Sequence, residues 1–491
     1  MSKRRQLMAA ALLFLALLGA RMCHLGILWA EETLPLAAAR QMHAGKVLYR
    51  DIWFDKPPLA PALDWALGAP AGWTLGAAWR LDIGWRLRLA GALYALLACW
   101  IAFRFACDLW GEREGLWAAG LSGFFMIFEM PSAAIPLAAD LLMLAPHMAA
   151  VWLAYRRRPF WCGTVAGVAL LTSPKAVFVL AACVVWYPAG AALMVAGFLA
   201  VGSAAAAWLW SAGALGAYWD EVWRWGRLYA AATFVESPVR NGVMRTLAWL
   251  GFHSGLVIAA LVAATLRVAK PGCDPEGRDH AESRNYRWLT WLAISFVAVA
   301  LGLRFFPRYY FQLLPILVLL AARGFTVAGR QTRILAMLLL LIPAVRFGPP
   351  YITAWRNREW RDTAMDRDSR AAAALVRQLA KPGDTLLVWG FRPEIYVYAG
   401  LPAATMFLDS QPLTGVPADR HLTQSAPVET TQAHARRADL ARSRPTFVLD
   451  GLGIYNPQLA IGNYPDLRQW FTSYQEVSRT GQTAIYRRQA D

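Results

Sequence analysis

The chain has 491 residues, of which 57% are hydrophobic and only 16% charged, with 24 tryptophans and a formal net charge of +17. Soluble chains carry about a quarter charged residues, so these figures exclude an ordinary soluble enzyme and imply a polytopic membrane protein. The basic surplus does not mark a polyanion-binding surface. It gathers at the ends of apolar runs (Lys3-Arg4-Arg5, Arg156-Arg157-Arg158, 267–287, 323–333), which is the positive-inside pattern. All six cysteines (Cys23, Cys99, Cys107, Cys162, Cys183, Cys273) precede residue 274 and none forms a CxxC pair. The hydrophilic C-terminal part therefore has no disulfide framework.

The first apolar segment, 8–30, follows a basic start as a signal peptide does. Its apolar character resumes beyond Arg21 through MCHLGILWA, with no small-residue cleavage site, so it reads as a retained spanning helix leaving the cytoplasm. Arg21 inside it costs on the order of 2.5–3.5 kcal/mol on insertion scales, offset by snorkelling or a partner within the bundle. A long external loop, 31–87, comes next. Its apolar turns at 59–67 and 73–79 are interrupted by Pro57, Pro58, Pro61 and Pro70 and suit the membrane interface.

Further helices are expected at 89–107, 116–128 and 140–155, with a GEREG turn at 111–115 and a second external loop at 129–139. The run 160–187 is broken at Thr172-Ser173-Pro174-Lys175, which places Lys175 at an external turn; broken helices are tolerated where they line a cavity. Segments 189–215, 243–266, 288–303, 313–322 and 334–345 complete about eleven crossings. They enclose a third external loop (216–242), a cytoplasmic loop (267–287) and the external turn FFPRYYFQ.

From about residue 347 the composition changes and no run is long enough to span. Helix-like RDSRAAAALVRQLA (367–380) precedes strand-like TLLVWG (385–390). ARRADLARSRPTFVLDG (435–451) repeats that order, and YQEVSRTGQTAIYRR (474–488) reads as a closing hairpin. The expected architecture is a polytopic α-helical membrane domain, 1–346, with a small extracytoplasmic α/β domain, 347–491.

Chemistry concentrates in the external segments. Glu31 and Glu32 follow the first helix, either as water-exposed caps or as a general base for an acceptor hydroxyl, a contribution of about 10²–10⁴-fold. The same loop supplies Asp55 and Lys56, and Pro57-Pro58 fix the direction of the lysine. Asp140 opens its helix as a cap or a cavity-facing acid, with His147 two turns deeper as a satisfied buried histidine. Lys175, Arg304 and Arg308 lie beside prolines at external turns and suit a lipid phosphate, arginine through its planar donors. No HExxH, GxSxG, P-loop or paired-cysteine metal motif is present, so no metal ligands are assigned and a divalent cation stays open. VWGFRPE (388–394) is given a structural role.

The run EETLPLAAARQM…FDKPPL resembles the first external loop of the integral-membrane GT-C glycosyltransferases, specifically the family 39-like group. That group includes protein O-mannosyltransferases and the lipid A aminoarabinose transferase. The PKA and PRYYFQLLP segments are similar to family positions near the lipid-linked donor. The resemblance implies a GT-C fold and inverting transfer from a polyprenyl-phosphate-linked sugar to a lipid, glycan or protein acceptor on the non-cytoplasmic face. It implies Glu31 and Glu32 as the acidic pair, Lys56 as the loop lysine and Asp140 as the acid of the second loop. Glu31 stands where the family commonly has Asp, and Leu34 where it commonly has Arg. The implied location is a bacterial plasma membrane with the active centre facing the periplasm. A transporter or flippase for a lipid-linked saccharide is the competing class, and it calls for inverted repeats and polar groups at the midplane.

Overall fold

The computed structural model describes residues 3–68, 83–233, 235–265, 279–357, 360, 364–417, 419 and 422–489. The chain divides into two compact units, each assembled from three stretches. One comprises Met1–Leu25, Leu87–Ala207 and Ser237–Glu359; the other comprises Gly26–Arg86, Trp208–Glu236 and Trp360–Asp491.

The first unit is helical. Among the described residues five helices are long and apolar enough to cross a membrane: Arg4–Met22, Ile83–Trp110, Pro188–Ser211, Pro307–Val327 and Arg330–Arg356. The pair Pro238–Phe252 and Ser254–Thr265, bent by 88°, makes a sixth if taken as one span. Ala139–Tyr155, Pro159–Leu170, Ala176–Trp186 and Tyr286–Ala300 are shorter apolar helices. The chain is an integral membrane protein.

Three sequence expectations change. The expected helix over 8–30 stops at Met22, residues 23–29 leave the helix, and a separate helix Ala30–His43 begins there. MCHLGILWA hid this break because its apolar residues suit either conformation and only His24 and Gly26 interrupt them. The expected single segment 243–266 turns a corner at His253. There the ring Nδ1 lies 2.9 Å from the Trp249 carbonyl and Nε2 lies 2.6 Å from Glu129 Oε2. The expected loop 31–87 contains two helices, Ala30–His43 and Leu59–Gly68; its 73–79 turn lies outside the described residues, as does most of the 267–287 loop. By contrast the break at 172–175 appears between Pro159–Leu170 and Ala176–Trp186, where proline removes a backbone donor.

Arg21 is fully buried within the bundle and does not snorkel. Its guanidinium donates to the carbonyls of Leu17 at 3.2 Å and Ala134 at 2.8 Å. Glu114 accepts from Arg323 at 2.5 Å and from the Thr326 hydroxyl at 2.9 Å. Helix contacts rest on small residues that let backbones approach. A Cβ on Gly163 would fall 1.8 Å from the Met194 carbonyl oxygen, and one on Gly324 would fall 1.8 Å from that of Ala259.

The second unit is built on a four-stranded sheet in the order β1-β2-β4-β3. Strands β1 (Leu386–Trp389) and β2 (Phe447–Asp450) run parallel, and β4 (Ala484–Arg488) runs antiparallel to both β2 and β3 (Tyr474–Arg479). The parallel pair needs a long crossover, which includes helix Thr431–Arg442. β1 and β2 are buried along their whole length, as their unbroken LLVW and FVLD runs require. Their core takes in Trp53 and Trp225 beside Leu387, Phe407, Val448 and Tyr464, so pieces of the segments 31–87 and 216–242 belong to it.

Substituting valine at Gly324 is expected to abolish the folded protein, since the neighbour it meets is backbone. Valine at Gly120, which has nothing within 4 Å, is expected to leave folding intact. Monodispersity of the solubilised protein on size exclusion checks both.

Candidate active site

The first unit gathers four residues from three stretches that are far apart in sequence. Asp140 sits in the first turn of helix Ala139–Tyr155. Arg308, in the 3-10 stretch Pro307–Leu313, brings its Nε to 4.0 Å from Asp140 Oδ2. The Lys175 ammonium stands 3.7 Å from the centre of the Tyr309 ring, while the Arg308 guanidinium lies 5.7 Å from the same ring. Both are cation–π distances. Asp140 and Arg304 are within electrostatic range of Lys175. With three cations and one carboxylate, these four side chains carry a net formal charge of +2.

The backbone beside them is strained. Leu303 has φ 53° and Phe305 has φ 50°, so two bulky residues adopt the left-handed region on either side of Arg304, which is 3% exposed. Each such residue costs of order 1–3 kcal/mol. The Arg304 carbonyl accepts from Asn241 Nδ2 at 3.1 Å, and the Phe305 ring occupies the space that a Cβ on Gly242 would need. The structure thus holds Arg304 against a backbone preference on both sides.

The second unit carries the acidic pair and the FDKPP turn. Glu31 and Glu32 lie in the first turn of helix Ala30–His43, where the helix dipole favours negative charge. Glu31 is half-buried. Glu32 is buried, and its Oε1 accepts the Trp29 N–H at 2.9 Å, so this carboxylate caps its own helix and not the membrane helix before it. The far end of the helix is fastened to the 400–403 turn. Gln41 Oε1 accepts from Ala403 N at 3.0 Å, and Lys46 Nζ donates to the Ala403 carbonyl at 2.7 Å.

Lys56 Nζ stands 3.9 Å from Asp55 Oδ1. Their turn is held from two sides: the Tyr49 hydroxyl donates to the Lys56 carbonyl at 2.8 Å, and Phe54 N–H donates to Glu221 Oε2 at 2.8 Å. Glu221 belongs to a six-residue π-helix, Trp219–Arg224, a form often found at functional sites. Burial pushes its carboxyl up to about 9, reinforced by Asp55 and Asp220 and opposed by the Phe54 N–H and Arg436. Asp409 is 3% exposed and accepts Gln411 N–H at 2.8 Å. Burial pushes it up to about 7; Asp55 adds to the rise and Lys56 opposes it.

Glu221 and Asp409 were both missed in the sequence. Glu221 lies in a loop rich in Trp and Arg where a lone acid looks solvated, and Asp409 in LDSQP looks like an ordinary helix start. His147 accepts an N–H from Trp291 Nε1 at 2.9 Å and is a satisfied core histidine. In VWGFRPE, Arg392 is buried against Asp368 at 3.0 Å, and Ser369 bonds both Arg392 and Glu394, a structural network. Among the described residues no three His, Cys, Asp or Glu side chains are grouped to hold a metal ion.

The fold is that of the GT-C membrane glycosyltransferases. The oligosaccharyltransferase of Archaeoglobus fulgidus in its apo form aligns at a TM-score of 0.53 and 12% identity, over 97% of this chain and 73% of that one. AglB of the same organism, in complex with an inhibitory peptide and a dolichol-phosphate, aligns at 0.50 and 12%, over 99% and 75%. ArnT from Cupriavidus metallidurans bound to undecaprenyl phosphate covers 99% of this chain and 98% of its own at 15% identity, with a TM-score of 0.43. Neither a family model nor a curated protein sequence matches the chain.

The two raised carboxyls set a pH dependence. Each folded group keeps a proton that the unfolded chain releases, so stability falls as pH rises, from the ordinary 3.8 to about 7 for Asp409 and from 4.5 to about 9 for Glu221. Replacing Glu221 with glutamine keeps an acceptor for Phe54 N–H and is expected to flatten the alkaline part of that decline. Alanine there leaves the N–H unmet and costs about 1–3 kcal/mol. Thermal midpoints of the solubilised chain between pH 5 and 9 distinguish the two.

Proposed function

We propose that this protein is a glycosyltransferase moving a sugar from a polyprenyl-phosphate-linked donor to an acceptor on the non-cytoplasmic face of the membrane. The observation that carries the reading is the group of Asp140, Lys175, Arg304 and Arg308: Arg308 and Lys175 beside the carboxylate and Arg304 beside Lys175, at the ends of apolar helices. A phosphate ester whose leaving oxygen gains charge in the transition state is what such a surplus stabilises best. The fold supports it, as does the dolichol-phosphate, itself a polyprenyl phosphate, held by AglB.

The proposed reaction is a single displacement. An acceptor hydroxyl attacks the anomeric carbon, its proton passes to Glu31, and the carbon–oxygen bond to the carrier phosphate breaks with the electron pair leaving on phosphate. Configuration inverts. Glu32 fixes the start of the helix that bears the base, and Asp55 sets the position of the Lys56 ammonium. Lys56, Lys175, Arg304 and Arg308 stabilise the departing phosphate. Asp140 orients Arg308, with which it shares the 4.0 Å contact. In this reading the shorter apolar helices join the long ones to make about eleven crossings of a bacterial plasma membrane. The segment 347–491 contributes an α/β sheet on the periplasmic side.

Glu31→Gln is expected to lower transfer by at least about 10²-fold while the protein still inserts and purifies. Arg308→Ala is expected to weaken donor use and to leave acceptor dependence unchanged. Release of free carrier lipid from a radiolabelled polyprenyl-phosphate sugar measures both. Undiminished transfer by Glu31→Gln would remove Glu31 as the base.

A further inference from the structure

Helix Ala176–Trp186 has Lys175 at one end; at the other, about 16 Å away by helix rise, the first unit holds a cavity of about 220 Å³. Its wall is formed by Tyr155, Arg157, Trp186, Tyr187 and Arg287 and by the start of the Pro188–Ser211 helix. At about 30 Å³ per water, the space equals roughly seven waters, enough for a phosphodiester and a few attached carbons.

This wall offers donors without acceptors. Trp186 is 6% exposed, and its indole Nε1–H is buried with no hydrogen-bond partner among the described residues. The buried Nε–H of Arg287 is in the same condition. A buried donor left unmet costs about 1–3 kcal/mol, and two of them in one wall mark the place of a missing acceptor.

Arg157 adds an independent sign. It closes helix Ala139–Tyr155 with its backbone, donating to the Ala154 carbonyl at 3.0 Å, and does so at φ 53°. Glycine takes that position at no steric cost, whereas a side chain there costs about 1–2 kcal/mol. Its neighbour Arg156 is occupied elsewhere, 3.7 Å from Asp108 and over the Trp152 ring. Arg157, by contrast, lines the cavity.

Charge favours an anion here. Two helix C-termini contribute about −0.5 each and the Pro188–Ser211 N-terminus about +0.5, against +2 from Arg157 and Arg287. Cations and aromatic rings at the end of apolar helices are also what a lipid headgroup region selects.

We propose that this cavity is a binding site for a phosphate anion, with Arg157 and Arg287 pairing with its oxygens and the Trp186 indole donating a further hydrogen bond. The phosphate of an anionic lipid and free inorganic phosphate share this chemistry. The site is separate from the transfer reaction and does not depend on that reading.

The full chain, purified in detergent, is offered phosphatidylglycerol, phosphatidylcholine or inorganic phosphate, and binding is read by native mass spectrometry and by the thermal midpoint. Arg157→Gly/Arg287→Gln is expected to weaken phosphatidylglycerol binding about tenfold, and Trp186→Phe several-fold, with phosphatidylcholine retention unchanged. Because glycine suits the backbone at 157, Arg157→Gly alone is expected to be at least as stable as the parent, which separates loss of the site from loss of the fold. Stabilisation by phosphate alone, equally lost in the double variant, supports the site and identifies free phosphate as its source. Phosphatidylglycerol binding that is undiminished in the double variant, or no stronger than phosphatidylcholine binding in the parent, overturns the proposal.

Discussion

In a chain this apolar, a charge can be buried only where neighbouring groups take up what it offers. Breaking a buried pair from one side costs about 3–5 kcal/mol, and that rule sorts the charged residues of the first unit. Arg21 meets two carbonyls, Glu114 meets Arg323 and Thr326, and Glu129 meets His253. Each of these contacts is local and holds helices together, although the Arg21 Nε–H stays without a hydrogen bond among the described residues. Asp140, Lys175, Arg304 and Arg308 differ in kind, because they are brought together from separate stretches and the chain accepts two left-handed residues beside Arg304. Backbone strain of this kind persists only where the surrounding structure enforces it, and it clusters at functional sites.

The second unit works differently, since its candidate residues are held by contacts made from distant stretches. Glu221 caps the Phe54 N–H, and the Arg436 guanidinium lies 4.3 Å from the Trp53 ring and 5.1 Å from the Trp225 ring. The loop that bears Asp55 and Lys56 is therefore pinned by residues 221, 225 and 436. A lysine on such a support keeps its direction, whereas one on a free loop would have to be ordered each time a ligand bound.

Much of this was legible beforehand, for identifiable reasons. The break before Lys175 was visible because proline leaves no choice, and the strands 386–389, 447–450, 474–479 and 484–488 fall within the runs expected from their patterns. The resemblance of EETLPLAAARQM…FDKPPL carried the fold, which composition alone could not. The turn after Met22 and the corner at His253 were illegible, because apolar residues fit a continuous helix equally well and the deciding contacts come from remote residues. Glu221 and Asp409 were hidden for the same reason: an isolated acid acquires meaning only from what buries it.

The interleaving of the second unit also says what its sheet is for. Tying the helix of the acidic pair to residue 403 closes a loop of about 360 residues, an entropic cost of about 5 kcal/mol. The bonds from Arg40, Gln41 and Lys46 to residues 400–403 contribute about 0.5–1.5 kcal/mol each, too little to offset it. Trp53, 5% exposed in the core with Leu387 and Val448, buries about 150–250 Å², or roughly 4–6 kcal/mol at 25 cal/mol per Å². Apolar packing onto the sheet therefore decides whether the first loop is ordered. The C-terminal strands supply the surface on which the first loop and its acidic helix take shape.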